Sequence, residues 1–318
     1  MIELEQVSRF FGKFKAVDGI SLSVPKGQTL GFLGPNGAGK TTTVRMIAGC
    51  LRQSAGRIRV CGIDTLDDPT KAKRRIGYMP ETQPSFSSMS VFEYLTFTAQ
   101  AKGLRGNDCQ NAVESVLPQA DLSDLAYKSA DVLSKGQKRR VSLAAALLGN
   151  PDVLLLDELT EGLDPNQKRR IYDLISSLKK DRAIIISTHI LDEIDTLCDR
   201  AVIIDKGKIV LDDVPRAFAA LSEKHRDICV LIPEYHLEKA RIVFDALPQI
   251  SVRDVKPDKN GSKLFALRPE TDDSVVADVV EALSGQHIKI EDIYVEKGRL
   301  EDVFYAFTAH AGNERKRG

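Results

Sequence analysis

Gly34-Pro35-Asn36-Gly37-Ala38-Gly39-Lys40-Thr41 fits the pattern G-x-x-x-x-G-K-[ST], a loop that cradles phosphate. The residue types follow from that task. Glycines let the backbone turn tightly and bring its N–H groups to phosphate oxygens with no Cβ in the way. Lys40 supplies a point charge for the β- and γ-phosphates, and the Thr41 hydroxyl a ligand for Mg²⁺. An apolar strand, Thr29 to Leu33, leads in, and a helical stretch from Thr41 to Gly49 leads out. The helix N-terminus then adds its partial positive charge beneath the anion. A glycine-rich turn before a helix is the plainer alternative. At about 7% glycine, however, the whole pattern arises by chance in roughly one chain per hundred of this length, and the strand and helix flanks narrow that further.

The chain has 318 residues, enough for a large domain and a small one. Lys and Arg total 45 and so do Asp and Glu, so the formal net charge is zero. That balance gives no electrostatic footprint for nucleic acid, and none is expected as a partner. Four short basic clusters, Lys71 to Arg75, Lys138 to Arg140, Lys168 to Arg170 and Glu314 to Arg317, read as solvated faces or a loose end. The five cysteines are scattered with no C-x-x-C pair, which suggests a reduced, cytosolic chain with no disulfide or cysteine metal site. An alternating strand, Ile2 to Val7, starts at once, so no signal peptide is expected. No apolar run is long enough to cross a bilayer; any membrane span must come from a partner.

Residues 1–33 read as strands with hairpin turns, and Phe11 lies just before one glycine turn. Its ring suits either stacking on a flat base or packing in a core. Residues from Ser90 to Gln119 read as helical, an insertion between strands. In Leu133-Ser134-Lys135-Gly136-Gln137, Ser134 suits a helix N-cap. Its hydroxyl and the Gly136 amide would also suit an anion brought there. Val153 to Leu156 is a buried parallel strand ending in Asp157 and Glu158, where open α/β sheets bind ligands. Asp157 fits a Mg²⁺ acid and Glu158 a base for water, although two acids can also simply cap a strand. Asp164-Pro165 starts a helix to Lys179. The strand Arg182 to Ser187 ends in Thr188-His189, and His189 reads either as a polar cap or as a hydrogen bond to a γ-phosphate. From about Ser222 the order becomes β-α-β-β-α-β, the ferredoxin-like pattern. It holds no catalytic constellation, so oligomerisation or regulation suits it better than chemistry.

Together these motifs resemble the ATP-binding cassette (ABC) ATPases over residues 1 to about 215. Phe11 stands at the aromatic base-stacking position and Gly34 to Thr41 at the Walker A loop. Leu133 to Gln137 stands at the LSGGQ signature, and Asp157 and Glu158 at Walker B and the catalytic glutamate. Asp164 matches the D-loop and His189 the switch histidine. The resemblance implies an α/β phosphate-loop NTPase cassette over 1–220, with an antiparallel β-subdomain and a helical subdomain at about 82–150. A ferredoxin-like accessory domain over 221–318 is expected after it.

The same resemblance implies a site for ATP and Mg²⁺. ATP would be held by Phe11, Gly34, Pro35, Asn36, Gly37, Ala38, Gly39, Lys40, Thr41 and Thr42, with Ser134, Gly136, Gln137 and Asp164 closing on it from a second, head-to-tail copy. Thr41, Asp157 and Glu81 would hold Mg²⁺; Glu158, His189, Glu81 and Lys40 would carry the catalysis. Three positions depart from the family pattern. Lys135 replaces the first signature glycine, Glu81 stands at the Q-loop glutamine, and Leu159 replaces the proline after the catalytic glutamate. The first two variants, with Arg299 to Phe304 near the end, look like the ABC-2-type exporters of gliding-motility and drug or sodium type. The implied function is ATP hydrolysis driving a separate integral membrane permease, at the cytoplasmic face of the inner membrane. Two other readings are a soluble ABC ATPase used as a mechanical switch and an ATP-binding regulator that does not hydrolyse.

Overall fold

The computed structural model describes residues 1–82, 88–258, 261–270 and 275–313. The expected turn at Lys259-Asn260, the helix start at Asp272 and the basic tail at 314–317 lie outside them. Two compact units divide the chain, residues 1–215 with 307–318 and residues 216–306.

The first unit begins with β1 (Ile2–Phe11), β2 (Phe14–Val24), β3 (Thr29–Leu33), α1 (Lys40–Ile47), β4 (Ala55–Val60), β5 (Ile63–Asp64), α2 (Pro69–Arg74) and β6 (Ile76–Met79). Then come α3 (Val91–Ala101), α4 (Gly106–Gln119), α5 (Lys135–Leu147), β7 (Val153–Asp157), α6 (Pro165–Lys179), β8 (Ala183–Ser187), α7 (Leu191–Leu197), β9 (Arg200–Asp205) and β10 (Lys208–Asp213). A six-stranded sheet runs β10-β9-β3-β8-β7-β6, parallel except for β10. A second, antiparallel sheet runs β2-β1-β4-β5.

Burial on both faces explains why β7 is apolar from Val153 to Leu156. Leu154 and Leu156 join a core with Leu95 of α3, Val113 of α4 and Leu143 of α5. Val153 and Leu155 point the other way, into a core with Ile2 and Leu4 of β1 and Val44 and Ile47 of α1. A strand covered on both faces has no place for a charge until its end. Asp157 and Glu158 therefore stand at its carboxyl edge.

The helical segment read from Ser90 to Gln119 is divided into two helices. A capping box between Ser90 and Glu93 starts α3. Gly103, at φ 97, then ends it, and α4 starts afresh at Gly106. The ammonium of Lys102 donates to the carbonyls of Ala145, Ala146 and Leu148, at 3.1, 3.1 and 2.8 Å. It thereby satisfies the far end of α5, and burial pushes it down to about 8. The basic cluster at Lys138 is also not a solvated face. Arg139 and Arg140 are 2% and 8% exposed, because helical spacing places Arg139 on the same face as Leu143.

In the second unit, β11 (Ile228–Ile232), α9 (Leu237–Asp245), β12 (Ile250–Pro257), β13 (Lys263–Pro269), α10 (Val276–Gly285) and β14 (Asp292–Val295) form a separate layer pair. The short helix α8 (Pro215–Ala220) and the longer α11 (Leu300–Asn313) lie at its chain boundaries. The antiparallel strand order is β12-β13-β11-β14. Val230, Phe265 and Leu267 of the sheet pack on Phe244 of α9 and Val279 and Leu283 of α10.

Gly77 in β6 measures how tightly α5 is seated. A Cβ there would stand 2.3 Å from the Ala146 carbonyl oxygen and 2.8 Å from Leu154 Cδ2. Gly77→Ala should cost about 1–3 kcal/mol of stability, as overpacking usually does. At about 2–4 °C per kcal/mol for a unit of this size, thermal unfolding should drop by several degrees. An unchanged melting temperature would mean that α5 is free to shift.

Candidate functional site

The loop between β3 and α1 is built from backbone. Gly37 and Gly39 take φ 81 and 111, where a side chain is strained. Gly34 and Gly39 are also pressed against neighbouring chain: a Cβ would lie 2.4 Å from the Ile204 carbonyl and 2.5 Å from that of Ala16. Ala38 N–H donates to Pro35 at 3.1 Å and its carbonyl accepts from Gly207 at 2.9 Å, so the loop is braced from both sides. Pro35, Thr41 and Thr42 are half-buried, and Asn36 and Gly37 are exposed.

Helix α1 begins at Gly39 with no side-chain cap and no acid in its first turn. Its leading N–H groups and dipole are thus left for an outside anion. Lys40, 7% exposed, donates to the carbonyls of Gly34 (2.5 Å) and Pro35 (3.2 Å). Burial lowers its pKa, and Glu158, Asp157 and Glu81, in that order, work to restore it. One lysine therefore feels all three expected acids.

Asp157 is 1% exposed, and among the described residues neither carboxylate oxygen has a hydrogen-bond partner. An arrangement that expensive fits a ligand cation. Among the described residues no three His, Cys, Asp or Glu side chains gather to hold a metal by themselves. A site with one or two carboxylates, completed by phosphate and water, suits Mg²⁺.

Glu158 follows in the left-handed region, φ 54. Its N–H donates to Ser187 at 2.8 Å, and Oε2 lies 2.8 Å from His189 Nδ1. Burial raises the Glu158 carboxyl above its ordinary value; the hydrogen bond and charge of His189 and the charge of Lys40 oppose this. His189 reaches it because β8 pairs beside β7, with Asp157 opposite Ser187. The histidine side chain is 60% exposed.

The remaining expected residues lie elsewhere in the unit. Ser134 caps α5, its hydroxyl accepting from Gln137 N–H at 3.2 Å while Gln137 Oε1 accepts from Ser134 N–H at 2.9 Å. Gly136 abuts Gly162, Leu163 and Gln167, each with an atom 3.1–3.2 Å from where its Cβ would be. Asp164 caps α6 by accepting from Gln167 N–H at 2.9 Å. Among the described residues no hydrogen bond joins Ser134, Gly136, Gln137 or Asp164 to the loop at 34–41. Phe11 is 47% exposed, with the Arg9 guanidinium 4.6 Å from its ring centre, so it is not held as core.

Two further residues at this edge escaped the reading of the sequence. Arg139 reaches the backbone of both acid-bearing segments, donating to Pro80 and Glu81 at 3.3 and 2.7 Å and also to Asp157 and Glu158. Its signal was a cation on the apolar stripe of an amphipathic helix. Glu193 of α7, fully buried, accepts from the Thr160 hydroxyl. Here an acid in a helical turn just after His189 offered no comparable signal.

A phosphate loop, an uncapped helix N-terminus and paired acids at the same sheet edge, two strands away, define a nucleotide-dependent phosphate-loop cassette. The family model described as "ABC transporter" matches residues 17–161. The daunorubicin resistance ATP-binding protein DrrA2 of Streptomyces coeruleorubidus is 30% identical over 311 residues, 97% of this chain and 95% of that protein. The Nod factor export ATP-binding protein I of Paraburkholderia xenovorans is 37% identical over 220 residues, 69% of this chain and 72% of that one. A solved ATP-binding subunit of an ABC transporter superposes with TM-score 0.64 at 27% identity, over 69% of this chain and 91% of its own. The chain belongs to the ABC transporter ATPase family.

The contact between His189 and Glu158 can be tested by titration. Since His189 lowers the Glu158 pKa, His189→Ala should move it to higher pH. Carbon-13 NMR of labelled glutamate carboxyls reads this directly. An unchanged or lower midpoint would mean that the histidine does not act on the acid.

Proposed function

We propose that the chain is the ATP-hydrolysing subunit of a bacterial ABC-2-type export complex and drives a separate permease from the cytoplasmic face of the inner membrane. The observation that carries this reading is the gathering of Lys40, Asp157, Glu158 and His189 at one sheet edge under an uncapped helix. Export is supported by the Nod factor export relative and by the resistance relative, which matches 97% of the chain. Among the described residues no helix is long and apolar enough to cross a membrane, so a permease would supply the span.

The loop amides from Gly34 to Thr42 would take the ATP phosphates, and Phe11 would stack on the base. Lys40 would leave the carbonyls of Gly34 and Pro35 for the β- and γ-phosphates. Thr41, Asp157 and Glu81 would hold Mg²⁺, which neutralises phosphate charge. Glu158 would accept a proton as water attacks the γ-phosphorus and ADP leaves; its raised pKa makes it a better base. His189 would fix the direction of that carboxylate and hydrogen-bond the γ-phosphate. Ser134, Gly136, Gln137 and Asp164 would complete the site of a second copy, which is why they stand apart from the loop in their own chain. Lys135 between them would add positive charge near the partner's phosphate.

The helical subdomain at about 82–150 would dock the permease. Phe97, Tyr127 and Val132 stand 58%, 83% and 72% exposed there, with Phe92 stacked on Tyr127 at 5.7 Å. Residues 221–318 would form the ferredoxin-like accessory domain, a reading supported by the strand order and the two helices on one face.

Glu158→Gln tests the reading. Losing a general base costs about 10²–10⁴-fold in rate, while binding survives. The variant should therefore accumulate as an ATP-bound dimer in sizing chromatography or light scattering, and adding Ser134→Arg should abolish it. Only the ATP-dependent change counts. Turnover like the parent, or no ATP-dependent association even with the membrane partner, would overturn the proposal.

A further inference from the structure

Glu158 occupies a backbone region that costs a non-glycine residue free energy, and it persists only where surroundings over-determine it. Three contacts do so: the Ser187 carbonyl on its N–H, His189 on its carboxylate and Arg139 on its carbonyl. The last differs from the others. Ser187 and His189 belong to the neighbouring strand edge, whereas Arg139 comes from α5, the helix that Ser134 caps.

One guanidinium nitrogen, Nη1, donates to the carbonyls of Pro80 and Glu81; the other, Nη2, donates to those of Asp157 and Glu158. The planar fork has fixed geometry, so the two acid-bearing segments cannot move independently while it is in place. Arg139 is 2% exposed, and burial lowers its pKa while Glu161, Glu158, Asp157 and Glu81 act to raise it. Helix α5 is seated firmly: Gly77 meets the Ala146 carbonyl and Lys102 holds the last carbonyls. A displacement at Ser134 thus reaches Arg139 along a single rigid element.

We propose that Arg139 is a positioning residue that ties the aim of Glu158 to the position of α5 and of the Glu81 segment. This deepens the reading of Glu158 as the base and rests on it. Docking of a partner's nucleotide on the start of α5 would then set Glu158 in the docked chain through one side chain, without contact between that nucleotide and the acid.

The test is steady-state hydrolysis by the full chain carrying Arg139→Met or Arg139→Lys, alone and combined with Glu158→Gln. Methionine keeps the length and removes every donor; lysine keeps the charge but loses the fork. A misplaced base should lower kcat by about 10- to 100-fold in Arg139→Met, with KM for ATP within about threefold. Arg139→Lys should recover part of kcat. On the Glu158→Gln background, Arg139→Met should change the residual rate less than about twofold, because groups acting as a unit are non-additive. A parent-like kcat in Arg139→Met, or the same loss with and without Glu158, would overturn the proposal. Should Arg139→Met fail to fold, Arg139→Lys decides: reduced kcat at unchanged KM supports the clamp, and parent-like kcat refutes it. Parent-like turnover by Glu158→Gln alone is a separate result that contradicts the base assignment instead.

Discussion

Asp157 sits at 1% exposure with both carboxylate oxygens unpartnered among the described residues, and much of the first unit is arranged around tolerating that. An acid in such a place is costly unless something compensates it. Partial compensation comes from the charge of Lys40, the start of α1 and the Arg139 guanidinium held on the next carbonyls. The rest is left for a ligand. A fold that keeps an acid buried and incompletely satisfied by protein groups gains stability when a cation and phosphate arrive.

The parallel sheet makes this placement inevitable. Strand β7 is covered on both faces, so polar side chains stand only at its ends, Asp157 at the carboxyl one. The loop after β3 ends at that same edge, and β8 delivers His189 beside Glu158. Glycines without room for a Cβ hold the loop against β9 and β2. Binding groups are therefore positioned by packed backbone and need few side-chain contacts of their own.

The sheet edge was legible in the sequence because each of its parts is a local pattern: an apolar run, then a glycine loop or an acid. Gly34 to Thr41, Asp157, Glu158 and His189 are all of that kind. Phe11 was ambiguous, since spacing does not say whether a ring is covered; its 47% exposure excludes a core role. The helical segment from Ser90 to Gln119 was legible by its two apolar faces, Val91 to Thr98 and Val113 to Leu117. The break between them falls at Gly103, whose φ of 97 lies outside a right-handed helix. Arg139 was misjudged for a different reason. Its partners are backbone carbonyls 18 to 59 residues away, and carbonyls have no sequence signature. Basic runs look alike whether they face water or a ring of carbonyls. The buried pair of Thr160 and Glu193 was hidden in the same way.

The central claim is that Asp157 is kept unsatisfied for the sake of its ligand, and Asp157→Asn tests it most directly. Thermal unfolding would be followed without nucleotide, with ATP, and with ATP and Mg²⁺, alongside phosphate release. The expected variant melts at or above the parent when free, because a poorly compensated buried charge is gone. It should lose most of the Mg²⁺-dependent stabilisation and about 10²-fold or more of its hydrolysis. A variant less stable than the parent when free, yet equally stabilised by ATP with Mg²⁺ and equally active, would contradict it.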